Sequence, residues 1–271
     1  MKNILLIGHG KMGSSIVNGW KKKKLNFTIF VIEKDEIKKE LKNKEKINFY
    51  RSFKDFIKLN IVPDLIFVAV KPQQLPGIKN NLKLLFNIKT VFVSIAAGIS
   101  TKWFRKNIAN EIKIVRAMPN TPASVLKGIT GIYHTKNLSK VEIDYVKKTL
   151  ICIGKLVFLK NEHFIDIVTS ISGSGPAYFF LLSELLIKLG KKLGLDEQDA
   201  ISLSTSTFIG SARLLEMSSY SVEELRKNVT SPGGTTEAAL EILLNKKNGL
   251  EIILQNALNA AIIRAEKLNI K

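Results

Sequence analysis

Cysteine is nearly absent from this chain of 271 residues. Cys152 stands alone, which excludes an intrachain disulfide and any zinc site built from several cysteines. Its neighbours Leu150, Ile151 and Ile153 point to a buried strand thiol rather than a nucleophile. Histidine is scarce too. His9, His134 and His163 lie far apart without metal-ligand spacing, and no Ser-His-Asp arrangement can be drawn from them. No window approaches the ~20 apolar residues of a membrane span. The apolar run Ile4–Ile7 is too short for a signal peptide and meets glycines at once. These absences lead to the expectation of a soluble, cytoplasmic protein with no metal site and no membrane contact.

Arginine supplies only 6 of the 42 basic residues, against 23 acidic ones, for a formal net charge of +19. Such a charge raises nucleic acid or a membrane surface as partners. The lysines, however, are spread along the whole chain. Their densest run, Lys21–Lys24, closes a helix, where cations are favourable. Arginine and aromatic residues are not interleaved as a base-stacking surface requires. The reading is a solvated lysine-rich surface and no nucleic acid.

What is present begins with an apolar fraction of 45%, ample for a core. The first half alternates short apolar runs with helical stretches. Strands are expected at 3–7, 27–32, 65–70, 90–94 and 113–117, with weaker ones at 129–134 and 154–158. Helices are expected at 12–23, 35–42, 52–59, 75–86, 100–107 and 139–151. This alternation implies a mostly parallel sheet covered on both faces, and the unbroken apolar run Leu65–Val70 fits a strand buried on both sides. After about residue 160 the strand signals stop. A long helix is expected with Pro176 at its first position, then one from Asp196 to about Glu216, a short one opened by the capping box Ser221-Val222-Glu223-Glu224, and two more at 236–244 and 250–268. Broad apolar stripes, such as Leu181, Leu182, Leu185, Leu186 and Leu189, suggest burial against a second subunit.

Gly8-His9-Gly10-Lys11-Met12-Gly13 follows the first strand and opens the first helix, the context a dinucleotide fingerprint requires. Gly8 allows the tight turn, Gly10 lets the backbone approach a pyrophosphate, and Gly13 lets the helix pack on the sheet. The fold class is therefore α/β, an N-terminal Rossmann domain (doubly wound, mostly parallel sheet) over residues 1–160. An all-α domain for substrate binding and dimerisation follows over 161–271. Glu33, at the end of the second strand, suits a ribose 2′-hydroxyl and hence NAD, whereas Lys34 suits a 2′-phosphate. Val70-Lys71-Pro72-Gln73 and Ser94-Ile95-Ala96-Ala97-Gly98 end strands at the edge where such sheets bind ligands. Asn120, in the loop Arg116–Pro122, either points its amide at a cofactor ring or caps a rigid turn. Ser172–Tyr178 is either a close-approach surface for cofactor or substrate or a tightly packed helix start. Finally, Thr230-Ser231-Pro232-Gly233-Gly234-Thr235-Thr236 runs into a helix. A helix entered through such a turn offers free backbone N–H groups and a positive dipole end to a small carboxylate.

Over nearly its whole length the chain resembles pyrroline-5-carboxylate reductase, through Gly8–Gly13 with Met12, Val70-Lys71-Pro72, Ala96-Ala97-Gly98, Arg116 with Met118–Pro122, Ser172–Tyr178 and Thr230–Thr236. The resemblance implies reduction of 1-pyrroline-5-carboxylate to L-proline by NADPH, with NADH as the other candidate. It implies homodimers through the helical domain, assembled up to a decamer. It assigns the substrate to Ser231, Gly233, Gly234, Thr235 and Thr236, with the Thr236 hydroxyl at the ring nitrogen as the catalytic contact. It assigns the cofactor to Gly8, Gly10, Lys11, Met12, Gly13, Glu33, Lys34, Val70, Lys71, Pro72, Ala96, Ala97, Asn120 and Ser174. Two departures stand out: Glu33 sits where the family often carries Ser, Thr or Arg, and Ser219 sits where many relatives carry an acidic residue. The alternatives are a reductase for a related imine acid and a catalytically silent NAD(P)-binding regulator. A β-hydroxyacid dehydrogenase is disfavoured, because no lysine follows the Gly-rich turn until Lys188.

Overall fold

The computed structural model describes residues 2–35 and 47–267. They form two compact units. One comprises the residues up to Ser174 with the chain from Ala261, the other Gly175–Ala260.

The first unit is built on an eight-stranded sheet: Lys2–Ile7 (β1), Phe27–Ile32 (β2), Ile47–Tyr50 (β3), Leu65–Val68 (β4), Val91–Ser94 (β5), Lys113–Met118 (β6), Gly128–His134 (β7) and Gly154–Phe158 (β8). The strand order is β3-β2-β1-β4-β5-β6-β7-β8. Every neighbouring pair is parallel except β6 with β7. This is the expected doubly wound α/β arrangement, with its crossover reversal between β1 and β4. The helices are Lys11–Lys22 (α1), Phe53–Ile57 (α2), Leu75–Leu85 (α3), Thr101–Asn107 (α4), Lys140–Leu150 (α5) and Phe164–Val168 (α6).

Apolar strands serve both faces by simple alternation. Ile4 and Leu6 of β1 join Ile16, Val17 and Trp20 of α1 in one core, while Leu5 and Ile7 join Phe56, Leu75 and Phe104 in the other. The buried indole of Trp20 donates to the carbonyl of Thr149 at 2.9 Å, so α1 is tied to α5 as well as to the sheet. Cys152 is buried, as its neighbours suggested, but it lies in a 3-10 turn, Ile151–Ile153, just ahead of β8 rather than in a strand.

Two strands differ from the sequence reading. Strand β3 is new. Its four residues lie in a Lys- and Asn-rich stretch, and only Ile47 is fully buried, so the apolar signal is faint. Strand β4 ends at Val68 rather than Val70, because Val70 leads into the turn of Lys71 and Pro72. The expected helix at 35–42 lies, beyond Asp35, outside the described residues.

The second unit is all helical: Gly175–Lys192 (α7), Glu197–Met217 (α8), Val222–Asn228 (α9), Thr235–Leu243 (α10) and the start of Leu250–Lys267 (α11). Asp196 and Ser221 cap α8 and α9 with their side chains, the latter in the expected capping box. The long helix does not start at Pro176. Helix α6 passes through a wide π-turn, Thr169–Gly173, directly into α7. The amide of Ser174 reaches back to the carbonyl of Thr169 at 2.8 Å. Pro176 is the second residue of α7, in the first turn, where a missing N–H is tolerated.

The run Phe164–Lys192 is, by length and composition alone, apolar enough to cross a membrane, a test that core helices of soluble proteins also pass. That corrects the reading that no window comes near this limit, since small polar residues dilute the apolar ones in the sequence. Its apolar side chains are open in a single copy of the chain, Phe180 63% and Leu189 51% exposed. Helices α7 and α8 pack through Phe179 on Phe208 and a Ser183–Ser204 hydrogen bond. Beside them runs an apolar groove of about 670 Å³ lined by Leu182, Leu186 and Leu215 among others.

Candidate active site

The three glycines of the first turn are there for three different reasons. Gly8 has φ +94°, a left-handed value that side chains rarely adopt, and a Cβ on it would lie 2.8 Å from the carbonyl oxygen of Ala69. A Cβ on Gly13 would lie 2.3 Å from the carbonyl oxygen of Gly8, so only glycine lets α1 approach β1 this closely. A Cβ on Gly10 would meet nothing within 4 Å. It would project into open space where the backbone must be approachable. Gly10 caps α1 without a side-chain hydrogen bond, and the first turn of α1 carries no acidic residue. The donor set fits a dinucleotide pyrophosphate laid over Gly10 at the helix N-terminus.

Beside this turn lies a crevice of about 900 Å³. It brings together six of the expected cofactor residues: Gly8, Gly10, Glu33, Lys34, Val70 and Lys71. Lys11, Met12, Gly13, Pro72, Ala96, Ala97, Asn120 and Ser174 are not among its lining residues. Met12 packs against the core on the α1 side, and Ala96 is buried in the opposite one. The crevice also draws in residues the sequence did not single out, among them Arg51, Lys54 and Gln74. The signal of Arg51 was hidden with β3, whose end positions it. Gln74 accepts from the amide of Lys71 at 3.1 Å and so fixes the turn at Pro72.

Glu33 is held from two sides. Its carboxylate accepts from the amide of His9 at 2.5 Å and from that of Asp35 at 3.1 Å. The His9 ring stacks edge-on against Phe49 with centroids 5.5 Å apart. Its Nε2 is buried without a hydrogen-bond partner among the described residues. Burial pulls the imidazole below its usual pKa, against the pull of Glu33 in the other direction.

Asn120 is buried, and its side-chain oxygen accepts from the amide of Ile129 at 2.9 Å, binding the loop to β7. Arg116, 4% exposed, donates to Glu162 at 3.0 Å and stands 3.8 Å from Asp166. Glu162 also accepts the amide and hydroxyl of Thr101. Arg116 thus joins β6 to α4 and to the segment leading into the π-turn. Burial pushes the Asp166 carboxyl above its ordinary value, partly offset by Arg116.

In the second unit the 230–236 turn enters α10 through Gly234, which offers no side-chain cap. The first amide bonded back along the helix is that of Ala238, to the carbonyl of Gly234 at 3.2 Å. The amides of Thr235 and Thr236 therefore lie ahead of the helical ladder. Two expected donors are spent inside the turn: Gly234 donates to the carbonyl of Ser231 at 3.0 Å, and Gly233 to the carboxylate of Glu237 at 2.7 Å. Gly233 has φ +70°, the left-handed value that turns the chain into the helix. Ser231, Thr235 and Thr236 are exposed in a single copy of the chain.

Comparison with known proteins finds family matches in both halves of the chain. Residues 162–268 match the family model "Pyrroline-5-carboxylate reductase dimerisation". Residues 3–98 match that of "NADP oxidoreductase coenzyme F420-dependent". The pyrroline-5-carboxylate reductase of Pseudomonas aeruginosa is 38% identical over 205 residues, covering 76% of this chain and 74% of that protein. The structure of a pyrroline-5-carboxylate reductase from Coxiella burnetii superposes with a TM-score of 0.90 at 33% identity, over 100% of this chain and 99% of the other. The Plasmodium falciparum pyrroline carboxylate reductase, solved with NADP bound, gives 0.83 at 29% identity, over 99% and 98%.

Proposed function

This chain belongs to the pyrroline-5-carboxylate reductase family, and we propose that it reduces 1-pyrroline-5-carboxylate to L-proline with NADPH through the residues described above. It oligomerises through its C-terminal domain; we further propose a cytoplasmic homodimer as the building block and a decamer as its fullest assembly. The division of labour is cofactor binding by residues 1–160 and substrate binding with dimerisation by 161–271.

The observation that carries the substrate assignment is the open N-terminus of α10. Its uncapped amides at Thr235 and Thr236, with the Ser231 hydroxyl beside them in the turn, suit the carboxylate of a small imine acid. Glu237 already occupies the Gly233 amide, so the carboxylate falls to Ser231, Thr235 and Thr236, with Gly233 and Gly234 shaping the turn. The Thr236 hydroxyl holds the ring nitrogen and accompanies its change from imine to amine. Gly8, Gly10, Lys11, Met12 and Gly13 would hold the pyrophosphate. Glu33 and Lys34 would lie at the adenosine ribose, and Val70, Lys71, Pro72, Ala96, Ala97, Asn120 and Ser174 toward the nicotinamide. The reduced nicotinamide, when bound, would supply a hydride to the imine carbon of the C=N bond, the carbon that becomes C5 of proline. A protonated imine is already electrophilic, so the protein's share is orientation, which agrees with the lack of a general acid in the turn.

The test is Thr236→Ala. Loss of one hydrogen bond at the reacting nitrogen lowers kcat/KM by about 1–3 kcal/mol. Unchanged kinetics would remove Thr236 from the reaction.

A further inference from the structure

Strands β1, β2 and β3 end side by side. Ile32 is in register with Tyr50, and the amide of Glu33 still donates to the carbonyl of Tyr50 at 3.0 Å. Glu33 and Arg51 are therefore the first residues beyond two adjacent strand tips, whose spacing is about 4.8 Å. Both line the crevice beside Gly8 and Gly10, together with Lys34 and Lys54. In an open parallel sheet of this order, the adenosine ribose of a dinucleotide lies over the end of the second strand.

The two residues are held differently. Glu33 has both carboxylate oxygens occupied by backbone amides, one from the glycine turn and one from Asp35. Its charge is turned onto the loop. Arg51 is exposed and makes no ion pair or side-chain hydrogen bond among the described residues. A guanidinium in this state presents a planar fork that matches a phosphate bidentately, which the ammonium groups of Lys34 and Lys54 cannot do.

We infer that Arg51 is the residue by which this chain selects NADP(H) over NAD(H), through the ribose 2′-phosphate, while Glu33 braces the glycine turn for either nucleotide. The inference rests on the cofactor reading above and assigns one of its specificities to one side chain.

Isothermal titration of the full chain with NADP⁺ and with NAD⁺ tests it without turnover. Arg51→Ala is expected to raise the Kd for NADP⁺ by about 10- to 100-fold, the range for losing charge-assisted hydrogen bonds, and to leave that for NAD⁺ unchanged. Arg51→Lys falls between, and Glu33→Gln weakens both nucleotides alike. If Arg51→Ala affects both equally or neither, the inference is overturned. If Glu33→Gln weakens NAD⁺ alone, discrimination returns to Glu33 and the inference is likewise overturned. A wild-type protein that binds neither nucleotide would instead overturn the cofactor reading itself.

Discussion

Replacing Gly10 and Gly13 by alanine, one at a time, separates the fold from the function of the first turn. At Gly13 the new methyl would lie 2.3 Å from the Gly8 carbonyl oxygen and 3.5 Å from a methyl of Leu6. Relief requires α1 to retreat by about 1 Å, since non-bonded carbon sits best at about 3.5–4.0 Å. The helix is poorly placed to retreat: Ile16, Val17 and Trp20 are fully buried and the Trp20 indole is bonded to Thr149. Overpacking of this kind costs about 1–3 kcal/mol, offset by up to about 1 kcal/mol of helix propensity gained over glycine. At about 2–4 °C per kcal/mol for a domain of this size, Gly13→Ala melts several degrees below wild type. Gly10 has φ −66° and ψ −168°, which any residue adopts, and its methyl meets nothing. As a helix cap it loses about 0.5–1 kcal/mol. Its methyl does cover the amides that the pyrophosphate must reach, and charge-assisted hydrogen bonds are worth about 1.5–3 kcal/mol each. Gly10→Ala should thus weaken nucleotide binding by about 10- to 100-fold with little change in Tm. Thermal melts of both variants, with and without nucleotide, read the two effects together. A Gly10→Ala protein that binds nucleotide like wild type would refute the assignment, and an undisturbed Gly13→Ala would refute the packing argument.

The half-buried imidazole of His9 has a pKa depressed below the ordinary 6.5. As pH falls through 6.5, the unfolded chain takes up this proton before the folded one, so its contribution is intact above 6.5 and is lost below it. Melts from pH 7.5 to 5 should show wild type losing more stability than His9→Gln, and parallel curves would contradict the burial argument. The deficit of Thr236→Ala should appear in kcat/KM while its Tm stays with wild type, because the side chain is exposed at the helix entry.

Much of this arrangement is readable from residue order. Strands with long apolar runs, such as β2, fall where expected, because burial on both faces leaves a continuous signal. The glycine turn is legible because each glycine answers a separate steric demand. Arg51 was not, since its strand has a single fully buried residue and no periodic pattern. The π-turn at Thr169–Gly173 escaped for a different reason: small residues there read as the start of a helix, whereas the chain is already helical before them. Hydrogen-bond direction is likewise invisible in sequence. Nothing in the letters reveals that Gly234 spends its amide on Ser231, that Glu237 claims Gly233, or that Asn120 is committed to Ile129.

The central claim is that this chain reduces a cyclic imine acid to proline. It is tested most directly by following reduced-cofactor absorbance with purified protein and 1-pyrroline-5-carboxylate, in separate runs with NADPH and NADH. The account predicts substrate-dependent oxidation, faster with NADPH, and L-proline as the product. Folded protein that binds the nucleotide yet oxidises neither cofactor with this substrate would contradict it.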